Sequence, residues 1–349
     1  MPKLSIIIPC YYNEQNIPVT SKELIENEKL FPSDVSFEYV MVDDGSRDNT
    51  LAELKRFREQ YPSKVKVIKL AGNVGSYNAI LAGMKYATGD CCTVIAADLQ
   101  DPPELIPKMY DYWVKGIKLV MANRQDREDP ALQKLLSRTY HHLVRRLAIK
   151  NIPTGGFDFV LFDSQLKDEV VKMNEKNTNT LYLFPWMGYE HVSIPYKRRK
   201  REVGESRWTL SKKVKLFIDT FVSFSFFPIR AISVMGLVLG VISLLYALFI
   251  LVAKLSGMIP VEGWAAIMVV VLFVSSFQFL ALGIIGEYLW RALDAARSRP
   301  IYVVEEVYPC KPDAVRTKVA AKLDWLEGEP LPQANESKLR QEGLESGGI

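Results

Sequence analysis

Histidine and cysteine are scarce in this chain, three and four residues among 349. His141, His142 and His191 have no Cys or Asp at metal-ligand intervals, which leaves them structural or surface roles. Cys91 and Cys92 are adjacent, whereas Cys10 and Cys310 stand far apart. No disulfide framework is indicated, and a reducing cytosol is the simplest environment for them. A formal net charge of +4 is too small for a nucleic-acid-binding protein. The opening Met1-Pro2-Lys3 leads straight into a strand-like Leu4–Ile8, without the charged and apolar regions of a signal peptide. Charge of either sign is missing altogether from two long apolar runs, 231–253 and 263–286.

Each of these runs is long enough to cross a hydrocarbon core of about 30 Å at about 1.5 Å per helical residue. Lys197, Arg198, Arg199, Lys200, Arg201, Arg207, Lys212, Lys213 and Lys215 precede the first run. Arg291, Arg297 and Arg299 follow the second, and only Lys254 and Glu262 lie between the two. The excess of Lys and Arg on the outer flanks predicts a multi-pass protein whose polar flanks, C-terminus included, are cytoplasmic. The same cations suit anionic headgroups, and the phosphate of a lipid substrate. Leu210, Val214, Phe217, Phe221 and Phe224 recur at helical spacing over 209–228. That helix either lies in the membrane interface or is buried against the soluble domain. Gly236 and Gly240 form a close-packing face in the first run, consistent with a homo-oligomer.

The polar half alternates short apolar runs with helical stretches. Leu4–Ile8, Phe37–Val42, Val65–Leu70, Cys91–Ala96 and Leu119–Ala122 read as strands. Helices are predicted near 15–30, 48–61, 76–87 and 103–115. This alternation predicts a doubly wound, mostly parallel α/β sheet, whose ligands bind beyond the carboxyl ends of the strands. An amphipathic basic helix follows over 130–150, broken by Thr154-Gly155-Gly156. A strand is expected at Phe157–Phe162, a helix over 164–183 and a short strand at Ser193–Tyr196. Residues 291–310 read as a return segment ending in an edge strand. Residues 311–349 read as a charged, disordered tail with a short helix at 313–326.

Acidic clusters fall at three strand ends: Pro9-Cys10-Tyr11-Tyr12-Asn13-Glu14, Asp43-Asp44-Gly45-Ser46, and Asp98-Leu99-Gln100-Asp101-Pro102-Pro103-Glu104. Singly, each reads as a turn or a helix cap. Three on one sheet suit a nucleotide better, because a strand-end carboxylate accepts from ribose hydroxyls or a uracil N–H. Another carboxylate, with an amide oxygen, can hold Mg²⁺ or Mn²⁺ against a diphosphate leaving group.

With Asn73-Val74-Gly75, Gly156-Phe157-Asp158-Phe159, Arg201–Ser206, Gly286-Glu287-Tyr288 and Arg299–Tyr302, these motifs resemble the family-2, GT-A-fold glycosyltransferases. Within them the match is to the polyisoprenyl-phosphate enzymes, a group that includes dolichol-phosphate-mannose synthase and the bacterial GtrB- and ArnC-type proteins. It spans roughly residues 3 to 308. The resemblance implies a Rossmann-like GT-A domain over 1–208, then the amphipathic helix and a transmembrane hairpin over 229–290, in a bacterial inner membrane. It implies a nucleotide-sugar site at Pro9, Tyr11, Tyr12, Glu14, Asp43, Asp98 and Arg124. It further implies metal ligands Asp98 and Gln100, a catalytic Asp158, and lipid-phosphate contacts at Arg201 and Ser206.

The chain departs from the family pattern twice. Ala96 stands where a leading Asp is common, so metal ligation rests on Asp98 and Gln100. An extra tyrosine leaves either Tyr11 or Tyr12 for the family position. The expected reaction is an inverting, metal-dependent transfer of one sugar from a nucleotide donor, a UDP-sugar, to polyprenyl phosphate. Two other readings are a processive polysaccharide synthase and a catalytically silent membrane scaffold. Arg207-Trp208 echoes the synthase motif, but Gly204 replaces its Gln. The intact acidic and basic motif residues argue against the scaffold.

Overall fold

The structure, a computed structural model, describes residues 1–125, 131–153, 156–173, 175–199, 210–256 and 263–311. Its centre is an eight-stranded sheet in the order β7-β5-β6-β4-β1-β2-β3-β8. The strands are β1 (Lys3–Cys10), β2 (Ser36–Asp43), β3 (Val65–Leu70), β4 (Cys91–Val94), β5 (Leu119–Gln125), β6 (Phe159–Asp163), β7 (His191–Lys197) and β8 (Val304–Tyr308). The pairs β1–β2, β1–β4, β2–β3 and β5–β7 are parallel. Strand β6 is antiparallel to both β4 and β5, and β8 is antiparallel to β3. The predicted parallel sheet is thus mostly parallel, with two reversed strands.

The continuous apolar runs of β1 and β2 follow from burial on both faces. Helices α1 (Ile17–Asn27), α2 (Thr50–Gln60) and α4 (Leu105–Val114) cover one face, packing Ile17, Leu24, Leu54, Phe57 and Ile106 on Ile6, Ile8, Tyr39 and Met41. The other face carries α3 (Ser76–Tyr86), α5 (Ala131–Leu147), α6 (Ser164–Met173) and the single turn α7 (Leu183–Trp186). There Ala79, Met84, Val144, Leu166 and Phe184 join Ile7, Val40 and Phe162 in a second core.

Beyond the sheet, α8 (Leu210–Phe224) leads into two long helices, α9 (Phe227–Leu255) and α10 (Trp264–Ala296). The inner face of α8 docks on the domain: Phe221 and Phe224 belong to the second core, and the buried Thr220 bonds the Tyr140 hydroxyl at 3.1 Å. Val214, Phe217 and Ile218 stay exposed. The inner face thus matches the reading in which the helix is buried against the soluble domain, and the outer face is left apolar and exposed. Helices α9 and α10 are long and apolar enough to cross a membrane and bury none of their apolar windows. At 33 residues, α10 is about 50 Å long and outlasts the apolar run by ten residues.

Two expectations are corrected. The helix expected over 164–183 ends at Met173, and a short 3₁₀ turn, 180–182, follows. Asn179 accepts from the Leu181 amide at 3.0 Å, a local bond that competes with helix continuation. Strand β4 ends at Val94, short of the expected Ala96, where the chain leaves its ladder for the Asp98 loop. The returning edge strand is present as β8. Arg58 donates two bonds to the Pro309 carbonyl, at 2.7 and 3.0 Å, and Lys69 pairs with Glu305 at 2.7 Å.

Candidate functional site

The chain runs outward from β1 through β2 to β3, then crosses to the other side of β1 to form β4. Strand order reverses there, so a crevice opens at the carboxyl ends of β1 and β4. The three acidic clusters stand at the ends of three neighbouring strands, β4, β1 and β2. Two residues in the loops leaving β1 and β4, Tyr12 and Leu99, adopt left-handed φ values of 53° and 50°. Such strain in bulky residues concentrates at ligand sites.

The β1 and β2 loops are bonded to each other. Tyr12 donates its amide to the Ser46 hydroxyl at 3.0 Å, and Asn13 donates to the Thr50 hydroxyl at 2.7 Å. Glu14 accepts from the Asn49 amide at 2.9 Å, tying the β1 loop to the start of α2. The Tyr11 and Tyr12 rings meet edge to face, their centroids 4.6 Å apart. Pro9 is paired with Val42 in the β1–β2 ladder, at the lip of this loop.

Asp43 is fully buried. Its Oδ1 accepts from the Ser46 amide at 3.1 Å, while Oδ2 is buried without a hydrogen-bond partner. Burial pushes this carboxyl up, against the pull of Ser46. Native folds rarely leave such an oxygen unsatisfied, and a ligand N–H or O–H is the natural complement. Asp44, which the motif reading did not single out, supports the neighbouring loop. It accepts from the Val74 amide at 2.7 Å, the Gly75 amide at 3.1 Å and the Asn73 side chain at 2.9 Å. Burial nonetheless pushes its carboxyl up to about 6, with the charge of Asp43 adding to the rise. Between the two loops Gly45, at φ 69°, has no room for a side chain, since a Cβ would lie 2.7 Å from the Gly72 carbonyl carbon.

At the end of β4, Asp98 Oδ1 accepts from the Gln100 amide at 3.3 Å, and the buried Thr20 hydroxyl holds the Ala97 carbonyl at 2.7 Å. Among the described residues no three His, Cys, Asp or Glu side chains gather in a metal-like cluster. Asp98 and Gln100 would supply one carboxylate and one amide oxygen, a sparse donor set. It fits a hard cation that takes its other oxygens from a diphosphate and water.

A third group of residues comes from the far half of the sheet. Arg124 on β5 forms an ion pair with Asp158, just before β6, and donates through Nε to the Tyr196 hydroxyl at 3.3 Å. Tyr196 in turn donates to the buried Asp101 at 2.5 Å. The segment leaving β7 then runs along the β4 loop. Arg199 donates its amide to the Gln100 carbonyl at 2.8 Å, and its guanidinium pairs with Glu104 at 2.5 Å and Glu23 at 3.0 Å. The motifs contained Asp101 without a role, and Tyr196 ended a predicted strand without one. No local pattern links them across 95 positions. Arg201 and Ser206 lie outside the described residues.

Comparison with known proteins identifies the family. The model for glycosyl transferase family 2 matches residues 5–172. A glycosyltransferase of Bacillus subtilis, YkcC, is 34% identical over 305 residues, covering 87% of this chain and 94% of that one. The bactoprenol glucosyl transferase of Shigella phage SfX is 30% identical over 304 residues, covering 87% and 99%. Among solved structures, the mannosyltransferase PcManGT of Pyrobaculum calidifontis, in complex with GDP-Man and Mn²⁺, is 17% identical. It aligns over 64% of each chain with a TM-score of 0.44. With its mostly parallel α/β domain, the chain belongs to glycosyl transferase family 2 and is a glycosyltransferase.

Proposed function

We propose that this enzyme transfers a single sugar from a UDP-sugar to a polyprenyl phosphate at the cytoplasmic face of a membrane, with inversion at the anomeric carbon. The observation that carries the reading is the junction of the β4 loop with the segment leaving β7. It brings the loop that carries Asp98 against a basic segment that leads, in sequence, toward the apolar hairpin. Near-full-length similarity to a bactoprenol glucosyl transferase supports the same acceptor.

In this reading an oxygen of the lipid phosphate attacks the anomeric carbon as the bond to the nucleoside diphosphate breaks. One displacement gives one inversion. The acceptor, with a second pKa near 6, is already largely ionised at neutral pH and needs little help from a base. Asp158, paired with Arg124, then orients the acceptor. Asp43 receives the nucleoside, with Pro9, Tyr11, Tyr12 and Glu14 shaping its loop. Arg201 and Ser206 bind phosphate oxygens. Asp98 and Gln100 would hold Mg²⁺ or Mn²⁺, which supplies charge neutralisation on the departing diphosphate.

A membrane setting is supported by the exposed apolar side chains of α9 and α10, Leu237, Leu244, Phe273 and Phe279 among them, which water would not tolerate in such number. Strand β8 follows the hairpin and β3 precedes it, yet they share a ladder. An even number of crossings satisfies that pairing, so both flanks lie on one side.

The test is a transfer assay on the full chain in lipid vesicles with undecaprenyl phosphate, labelled UDP- and GDP-sugars, and either Mn²⁺ or EDTA. Label is expected in a mild-acid-labile lipid from one UDP-sugar, and is expected to disappear with EDTA and in Asp158→Asn. No lipid-linked label from any donor, in protein that still binds UDP, would overturn the reading.

A further inference from the structure

We propose that Tyr196 and Asp101 are positioning residues that hold the Arg124 guanidinium so that its terminal amino group is delivered to Asp158. The inference rests on the reading above, in which Asp158 lies at the reacting centre.

Arg124 and Tyr196 are ladder partners on β5 and β7, so their side chains leave the sheet on the same face. Exposure rises along the chain of contacts, from 2% for Asp101 to 10% for Arg124 and 45% for Asp158. The buried end is therefore fixed and the open end is where a substrate can arrive. The phenol has one proton to give. Burial and the neighbouring Asp101 push its pKa well above the usual tyrosine range, so that proton stays in place. Tyr196 donates it to Asp101 at 2.5 Å, which leaves the oxygen's lone pairs facing Arg124 Nε. Arg198 Nε lies 3.8 Å from the same Asp101 oxygen, on the approach to the basic run.

A guanidinium presents five N–H donors on a flexible stem, and unanchored it can meet a carboxylate in several poses. Occupying Nε from behind removes that freedom. Asp101 also follows Gln100 directly, so one buried carboxylate references the Arg124–Asp158 pair to the loop that carries Asp98. The donor side and the acceptor side of the crevice are then held in a common frame.

Tyr196→Phe removes the hydroxyl and keeps the ring, which packs edge to face on Phe159 with centroids 6.2 Å apart. In full-length protein in vesicles this variant is expected to lose roughly tenfold to a hundredfold in kcat, with the donor KM within about twofold of wild type. In an Arg124→Ala background the same substitution is expected to add nothing beyond about twofold, because Tyr196 acts through Arg124. Losses that multiply independently would overturn the proposal. A second readout needs no substrate: solvent exchange of the Arg124 Nε–H, followed by NMR, is expected to be slow in wild type and fast in Tyr196→Phe. Equal rates would also overturn the proposal. Wild-type protein that transfers no sugar from any donor would remove the function proposed above, and the exchange comparison would then decide the positioning role alone.

Discussion

Arg291 of α10 donates to Asp219 of α8 at 2.5 Å and, through its other terminal amino group, to the Asn177 carbonyl at 2.8 Å. One turn later Asp294 accepts from the Asn177 side chain at 3.1 Å. Tyr288, a turn earlier, donates to the Ser225 carbonyl at 3.1 Å. The second apolar helix thus ends in polar contacts that fasten the hairpin to the loop after α6 and to α8. Arg291 and Asp219 are only 14% and 16% exposed, so each depends on the other for charge compensation.

Arg291→Met is expected to destabilise the protein by about 1–3 kcal/mol, because Asp219 is left without its cation in a mostly buried position. Asp219→Asn in the same chain should recover part of that loss. Arg291→Lys should fall between, since an ammonium cannot reproduce the two-armed contact. Thermal melting of the four proteins in one detergent tests the order. A double variant no better than Arg291→Met alone would mean that Asp219 is not the group at stake.

Glu38 is expected to contribute to the acid limit of the catalytic domain. Burial opposes its ionisation, but the Ser5 hydroxyl, the Thr88 amide, Lys66 and Lys3 outweigh it and bring the carboxyl down to about 2. A pKa lowered on folding contributes stability that is complete above the unfolded value, near 4.5, and lost as pH falls toward 2. The span corresponds to roughly 3 kcal/mol. Glu38→Gln should flatten this acid limb and, at pH 7, cost about 1–3 kcal/mol by leaving Lys66 short of its counter-charge. Melting temperature against pH for the two proteins checks both statements. Parallel curves would show that the limb belongs to other carboxylates.

Much of the fold was legible because β1 to β5 are bounded by turns and carry apolar runs that only strands buried on both faces need. The strand ends were legible for a related reason: Asp43 and Asp98 stand where apolar runs stop, and a parallel sheet gathers such stops along one edge. Pairing was not legible. Nothing local in Phe159–Asp163 says that it inserts between β4 and β5 in the reverse direction, because the choice is made by partners far away in sequence. The same holds for Tyr196 and Asp101, whose types are unremarkable until the ladder of β5 and β7 brings them to Arg124. Asp44 was hidden by its neighbour. Two adjacent acids read as one motif, yet Asp43 ends β2 and Asp44 opens the loop beyond it, and they bind different loops.

Asp43 offers a prediction in which stability and function move in opposite directions. Its Oδ2 is buried without a partner, and burial raises the carboxyl pKa, so the fold bears the charge at a cost. Asp43→Asn keeps an oxygen for the Ser46 amide and removes that charge. UDP affinity, measured by titration calorimetry, is expected to fall roughly tenfold to a hundredfold, the loss of one good charge-assisted hydrogen bond. The melting temperature should hold steady or rise. Unchanged UDP affinity would take Asp43 out of the donor site.

Gly156 stands two residues before Asp158, at φ 74°. A Cβ there would lie 2.3 Å from His141 Cε1 and 2.8 Å from Nε2, so the imidazole of α5 occupies the space a side chain would need. Gly156→Ala adds a left-handed alanine, about 1–2 kcal/mol of strain, to a contact that either His141 or the backbone must relieve. Phe157 and Phe159, both buried in the core, hold Asp158 between them, so a shift at Gly156 reaches Asp158 through Phe157. The variant is therefore expected to lose transfer activity several-fold more than its stability loss explains, with UDP affinity unchanged. His141→Ala, which opens the space, should restore part of the activity of Gly156→Ala by relieving the clash and leaving only the strain in φ. The check is transfer rate and melting temperature for both single variants and the pair. A double variant as slow as Gly156→Ala would assign the defect to φ alone.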